Sequence, residues 1–126
     1  MKRFALALAA LAATSVAAIA AEPATVAETA SGKIYTDAKG MALYTFDKDE
    51  TGKSNCYDMC ATNWPPFMAA ADAQPEGEWT IVERTDGTKM WAYDGKPLYT
   101  FIKDKKPGDV TGDGKGGVWH AVMEKE

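Results

Sequence analysis

Two cysteines, a methionine between them and a single histidine have the most chemistry to offer. Cys56 and Cys60 are the only cysteines of the chain, Met59 lies inside their span, and His120 is the only histidine. Three chemistries are open to this set. A Cys56–Cys60 disulfide closes a short ring and stabilises a small domain by about 2 kcal/mol through chain entropy. Thiol–disulfide catalysis is a poorer match, because the spacing is CxxxC rather than CxxC and no thioredoxin-like βαβ pattern surrounds it. Copper is the sharper alternative, since thiolate, thioether and imidazole suit it, and Cys56, Met59, Cys60 and His120 would supply all three. The plainer role for His120 is a strand-end side chain hydrogen-bonded to backbone. The CxxCH run of a c-type haem is missing.

The carboxylates are less suggestive. Asp49 and Asp104 each lie three residues beyond an aromatic strand end, where an Asp accepts backbone N–H bonds in the following turn. Paired acid–base catalysis is the functional alternative, but no base or nucleophile stands beside them. Asp104, Asp109 and Asp113 share a glycine-rich loop whose spacing does not fit an EF-hand. Gly112, Gly114, Gly116 and Gly117 lack the Lys-Ser/Thr ending of a phosphate loop. The aromatic residues read first as core and second as the lining of a groove for a ligand or partner.

The elements that must position these residues come in two copies. Gly40 to Asp49 (GMALYTFDKD) is echoed by Gly95 to Asp104 (GKPLYTFIKD), and the offset of roughly 55 residues continues to bring Trp64 onto Trp119 and Met68 onto Met123. A fixed period of this size means one supersecondary unit used twice. A unit this short buries little surface alone, so the copies are expected to share a core. The copies differ where the first carries Cys56 and Cys60 and the second has Thr111 and Lys115 in a glycine-rich loop.

Within the first copy, Lys33 to Thr36 and Met41 to Phe46 read as strands, and Asn55 as the cap of a short helix over Cys56 to Thr62. Pro65 and Pro66 stop that helix and hold Trp64 extended. In the second copy Glu78 to Arg84 alternates, and Asp86-Gly87 and Asp94-Gly95 mark tight hairpins. Lys89 to Tyr93, Pro97 to Ile102 and Val118 to Met123 complete an antiparallel meander.

The N-terminus reads as an export signal: Lys2 and Arg3, an apolar run from Phe4 to Ile19, and a small-residue Ala18-Ile19-Ala20 cleavage site. Cleavage is placed after Ala20, with Ala21 as the alternative. No stable membrane anchor is expected after cleavage, because the run is short and Ala-rich for a span of about 20 residues. The mature chain is acidic, at about −6 once Lys2 and Arg3 are lost from a total of −4. That argues against nucleic acid, whose phosphates need basic side chains. An exported chain with an even cysteine count points to a disulfide and to a periplasmic or secreted location.

Two YxFxxD copies, Tyr44-Thr45-Phe46-Asp47-Lys48-Asp49 and Tyr99-Thr100-Phe101-Ile102-Lys103-Asp104, occur with Cys56-x-x-x-Cys60-Ala61, Trp64-Pro65-Pro66 and Gly116-Gly117-Val118-Trp119-His120. Together they resemble the secreted-repeat family of predicted bacterial lipoproteins named for a Yx(F/W/Y)xxD motif. The match covers about Gly32 to Met123. The resemblance implies an exported cell-envelope protein and no established biochemical function. This chain has no cysteine near the cleavage point, so lipid anchoring does not carry over.

The expected architecture is all-β: two pseudo-symmetric antiparallel β-meander repeats sharing one aromatic core, with at most a short helix near the cysteines. The expected organisation is a signal peptide at 1–20, a flexible leader at 21–31, and one domain at 32–126. Its repeats lie at about 32–68 and 78–123 with a linker at 69–77. The expected function is a non-enzymatic binding or interaction module for an envelope protein or small ligand, held by the Cys56–Cys60 disulfide. No cofactor is expected; a copper-binding or electron-transfer accessory is the alternative. The motif positions expected to matter are Tyr44, Phe46, Asp49, Tyr99, Phe101, Asp104, Trp64 and Trp119.

Overall fold

Short β-prone runs punctuated by glycine and aspartate fold mainly as strands in the computed structural model, which describes residues 23–124. The signal peptide expected at 1–20 lies outside the described residues. Strands β1 (Thr25–Thr29) and β2 (Gly32–Thr36) form an antiparallel hairpin. This corrects the flexible leader expected at 21–31 over residues 25–29, which form a paired strand. β1 is an edge strand exposed along most of its length, so it has no apolar alternation to betray it. Backbone pairing, the buried Ala24 and a 2.8 Å hydroxyl contact between Thr25 and Thr36 hold it in place.

The remaining elements are β3 (Tyr44–Phe46), helix α1 (Met59–Asn63), β4 (Trp79–Glu83), β5 (Lys89–Tyr93), β6 (Lys96–Pro97) and β7 (Trp119–Ala121). The helix starts later than expected and Asn55 does not cap it. The Asn55 N–H donates to Asp49 Oδ1 at 2.7 Å and its side chain to the Lys48 carbonyl at 2.8 Å, while Asp58 occupies the cap position. Strands β4, β5 and β6 form a meander as expected, but its third strand is only Lys96–Pro97 rather than the expected Pro97 to Ile102. Asp94 (φ 55°) and Gly95 (φ 80°) both adopt the left-handed conformation that suits a two-residue hairpin turn.

The fourth strand departs from the expected meander. β7 does not add to its own repeat but pairs antiparallel with β3, setting Tyr44 opposite Ala121, Thr45 opposite His120 and Phe46 opposite Trp119. The first repeat returns the exchange through Trp64-Pro65-Pro66. Pro66 bridges Tyr99, the Thr100 N–H donates to the Pro65 carbonyl at 2.9 Å, and the Ile102 N–H donates to Asn63 at 3.0 Å. That last bond mirrors Asp47 N–H to the Val118 carbonyl at 2.8 Å. Two prolines without N–H groups keep this side from becoming a regular strand. At the centre Tyr44 and Tyr99 exchange backbone bonds of 2.8 and 2.9 Å, which places the pseudo-twofold axis between them.

The core occupies both faces of these central segments. Leu43, Leu98 and Val122 pack with Tyr35, Trp79 and Tyr93 on one side. On the other, Trp64 and Trp119 stack at 3.8 Å with planes 2° apart, across the pseudo-twofold. Phe101 stacks on Trp64 at 4.0 Å and Phe46 on Trp119 at 4.2 Å, extending the column. Tyr44 and Tyr99 meet Trp64 and Trp119 edge-on, each at 5.3 Å. A Cβ on Gly112 would lie 2.6 Å from Trp64 Cη2 and 2.9 Å from Phe101 Cδ2. Gly112→Ala should therefore lower stability by about 1–3 kcal/mol through overpacking. Chemical denaturation checks this, and a neutral result would mean that the column yields.

Candidate functional site

The YxFxxD motif is completed across the repeats. The Tyr44 hydroxyl donates to Asp104 Oδ2 at 2.7 Å, and the Tyr99 hydroxyl donates to Asp49 Oδ2 at 2.6 Å. Each aspartate's other oxygen accepts a backbone N–H in its own following loop, as the sequence suggested. Asn55 N–H reaches Asp49 at 2.7 Å and Thr111 N–H reaches Asp104 at 2.9 Å. The cross-repeat half of the arrangement follows from the strand exchange and has no local signature. Phe46, Phe101, Trp64 and Trp119 are spent in the stacked column. The motif is thus a set of bolts between the copies.

Burial pushes the Tyr44 and Tyr99 hydroxyls well above the ordinary phenol range, helped by the carboxylates they bond. Burial also raises Asp49 above the usual carboxylate range. The bonds from Tyr99 and Asn55 and the field of Arg84 oppose that rise. A carboxyl raised in the folded state favours folding most below its unfolded value, and that contribution is lost as pH climbs through the folded value. Asp49 should therefore titrate above the normal carboxylate range by NMR. Tyr99→Phe should move it higher still, since a bond that favours the charged form is gone; a downward shift would contradict this assignment.

Arg84 was not singled out by the sequence, where it ends an alternating strand. It is buried, at 6 % exposure. Its Nη1 donates to Ser54 Oγ at 2.9 Å and its Nη2 to the Cys56 carbonyl at 2.8 Å, with the Tyr57 ring 4.2 Å away. Ser54 Oγ in turn contacts the Tyr99 hydroxyl. Tyr99 has committed its proton to Asp49, so Ser54 donates to it. The result is a directed chain from Arg84 through Ser54 and Tyr99 to Asp49.

Cys56 and Cys60 form a disulfide, with Cα atoms 5.2 Å apart. The copper set Cys56, Met59, Cys60 and His120 is not assembled. Both sulfurs are bonded to each other, Met59 is 71 % exposed, and His120 Nε2 lies 2.8 Å from Asp47 Oδ2. Among the described residues no group of three or more His, Cys, Asp or Glu side chains is placed to hold a metal. The loop aspartates have separate partners: Asp109 accepts from the Lys105 and Lys106 N–H groups in its own turn, and Asp113 from the Ala121 N–H of β7.

The His120–Asp47 pair borders a cavity of about 250 Å³ that Thr45, Tyr93, Asp94 and Lys96 also line. A neighbouring hollow shares Thr45, Asp47 and Lys96. The cross-strand register puts Thr45 opposite His120, and Asp47 follows one pleat on, which is why the sheet brings Asp47 and His120 together. At the pseudo-symmetric place the chain has Pro65 and Ile102 instead. The fold is two-fold here and the chemistry is not.

Two repeats with exchanged strands, a shared aromatic column and a disulfide define a small duplicated all-β module. The chain belongs to a family described as a secreted repeat of unknown function, whose model matches residues 25–68 and 80–123. Comparison with curated proteins and with solved structures gave no match. Among the described residues no helix is long and apolar enough to cross a membrane.

Proposed function

We propose that this protein is a periplasmic, non-enzymatic binding module whose recognition surface is the hollow beside β3 and β7. The observation that carries this reading is the break in symmetry. The duplicated Tyr, Asp and Trp residues are used up in joining the copies, whereas Asp47 and His120 replace Ile102 and Pro65 at an open surface. Lys96 lies beside Asp47 and Asp94 in the lining, so groups of both signs face the same space. Such a surface complements a small ligand carrying both an ammonium and a carboxylate, as free amino acids and short peptides do, or the exposed end of an envelope protein.

Dipeptides added to isotope-labelled protein test this. Amide shifts should gather at Thr45, Asp47, Lys96 and His120, and Asp47→Asn with His120→Gln should weaken binding by about tenfold or more, the 1.4 kcal/mol scale of a lost charged contact. The dipeptides should be recovered intact. Shifts confined to another face, or cleavage of the probe, would overturn the reading.

A further inference from the structure

We propose that Cys60 is a thiol–disulfide exchange site, with Cys56 as the leaving sulfur and Arg84 as the cation that receives it. This goes beyond the binding reading and does not depend on it. The two ends of the disulfide are unequal. Cys56 is fully buried at 0 % exposure, whereas Cys60 is only partly buried and the adjoining Met59 stands open. An incoming thiolate is therefore expected at the Cys60 end of the bond, and the sulfur attacked fixes which one leaves.

A cation is bonded to the residue that carries the leaving sulfur. The Arg84 guanidinium is buried and anchored on the carbonyl of Cys56 itself. Its other partners are Ser54 Oγ, Met90 Sδ and the Tyr57 ring, all uncharged. Among the described residues no carboxylate is within ion-pair distance of Arg84; Asp49 and Asp86 feel its field only from farther away. A buried cation without an adjacent anion is costly. A thiolate on Cys56 would supply that anion, and a neighbouring arginine lowers a thiol's pKa and makes it a better leaving group.

The disulfide is also dispensable to the repeat design. The second copy has Thr111 and Lys115 at the corresponding positions, and it closes its Tyr44–Asp104 link with hydrogen bonds from Thr111 and Gly112 and no covalent bond.

The step balances as follows. A thiolate of a small thiol or of a dithiol protein attacks Cys60 Sγ. The S–S bond to Cys56 breaks, its electron pair leaves on Cys56, and the attacking sulfur is oxidised into a mixed disulfide with Cys60. A second thiolate of the same class then attacks the mixed disulfide, freeing Cys60 as a thiolate and leaving the reductant as its own disulfide.

The test uses the folded full chain with glutathione under anaerobic conditions, acid quenching and peptide mapping by mass spectrometry. The mixed disulfide should map to Cys60 and form at a rate insensitive to low denaturant. Arg84→Gln should slow exchange and disfavour reduction by about tenfold, equivalent to about 30 mV for a two-electron couple. Arg84→Lys, which keeps the charge, should recover much of the loss. An adduct on Cys56, or reaction that occurs only in step with global unfolding, overturns the proposal, and neither readout needs a variant that folds. Exchange in folded Arg84→Gln at the native rate overturns the role of Arg84.

Discussion

Trp119→Ala should lower the stability of the folded chain by about 3–5 kcal/mol, the range for deleting a buried large aromatic side chain. Trp119 is 6 % exposed and stacked between Trp64 and Phe46, with Tyr99 edge-on. Its removal therefore opens a void in contact with both repeats. For a domain of this size the midpoint of thermal unfolding should fall by roughly 12–40 °C, at about 4–8 °C per kcal/mol. Trp64→Ala should behave alike, because the pseudo-twofold gives it the same neighbours through Phe101 and Tyr44. The two losses should not add, since each ring is the other's main partner. Calorimetry of both single variants and the double variant measures this. A loss below about 1 kcal/mol in either single variant would mean that the column is not what joins the repeats.

The second large effect concerns the motif that names the family resemblance. Tyr99→Phe leaves Asp49 and Ser54 without the hydroxyl between them, and Tyr44→Phe removes a partner from Asp104 and Gly112. Leaving such groups unsatisfied costs about 1–3 kcal/mol each. The more discriminating experiment is a set of double-mutant cycles with Asp49→Asn and Asp104→Asn. Tyr99 should couple to Asp49 and Tyr44 to Asp104 by about 0.5–3 kcal/mol, as residues in direct contact do. Tyr44 with Asp49, and Tyr99 with Asp104, should couple less, although each of these pairs belongs to one continuous motif. Stronger coupling within a motif than between motifs would show that the repeats close on themselves in solution.

The contrast between the two halves of the motif shows where local reasoning stops. Asp49 and Asp104 accept N–H groups a few residues downstream, and an aspartate after a strand end announces that role in the sequence. Their bonds to Tyr99 and Tyr44 span 50 and 60 residues and leave no local trace. Arg84 was hidden for a related reason. At the end of an alternating strand an arginine reads as a solvated side chain, and only the approach of the Cys56 loop from the other repeat buries it. β1 was hidden because an edge strand need not carry an apolar face.

By itself the sequence determined the all-β class, the duplication and the turns that build the β4–β5–β6 meander, and it favoured, among three open chemistries, the pairing of the only two cysteines. These follow from residue period, from glycine and aspartate at positive φ, and from cysteine count in an exported chain. The tertiary structure alone decided that β7 crosses to β3, and with it that His120 meets Asp47, that each motif tyrosine serves the other repeat's aspartate, and that Arg84 faces the disulfide loop. The physical reason is that alternation tells a strand which face to bury but not which edge to join. With two near-identical copies the local signals for pairing within a repeat and between repeats are the same. The exchange is favoured by what it lets the two tryptophans do: stack on one another and bury a column of rings that neither copy could close alone.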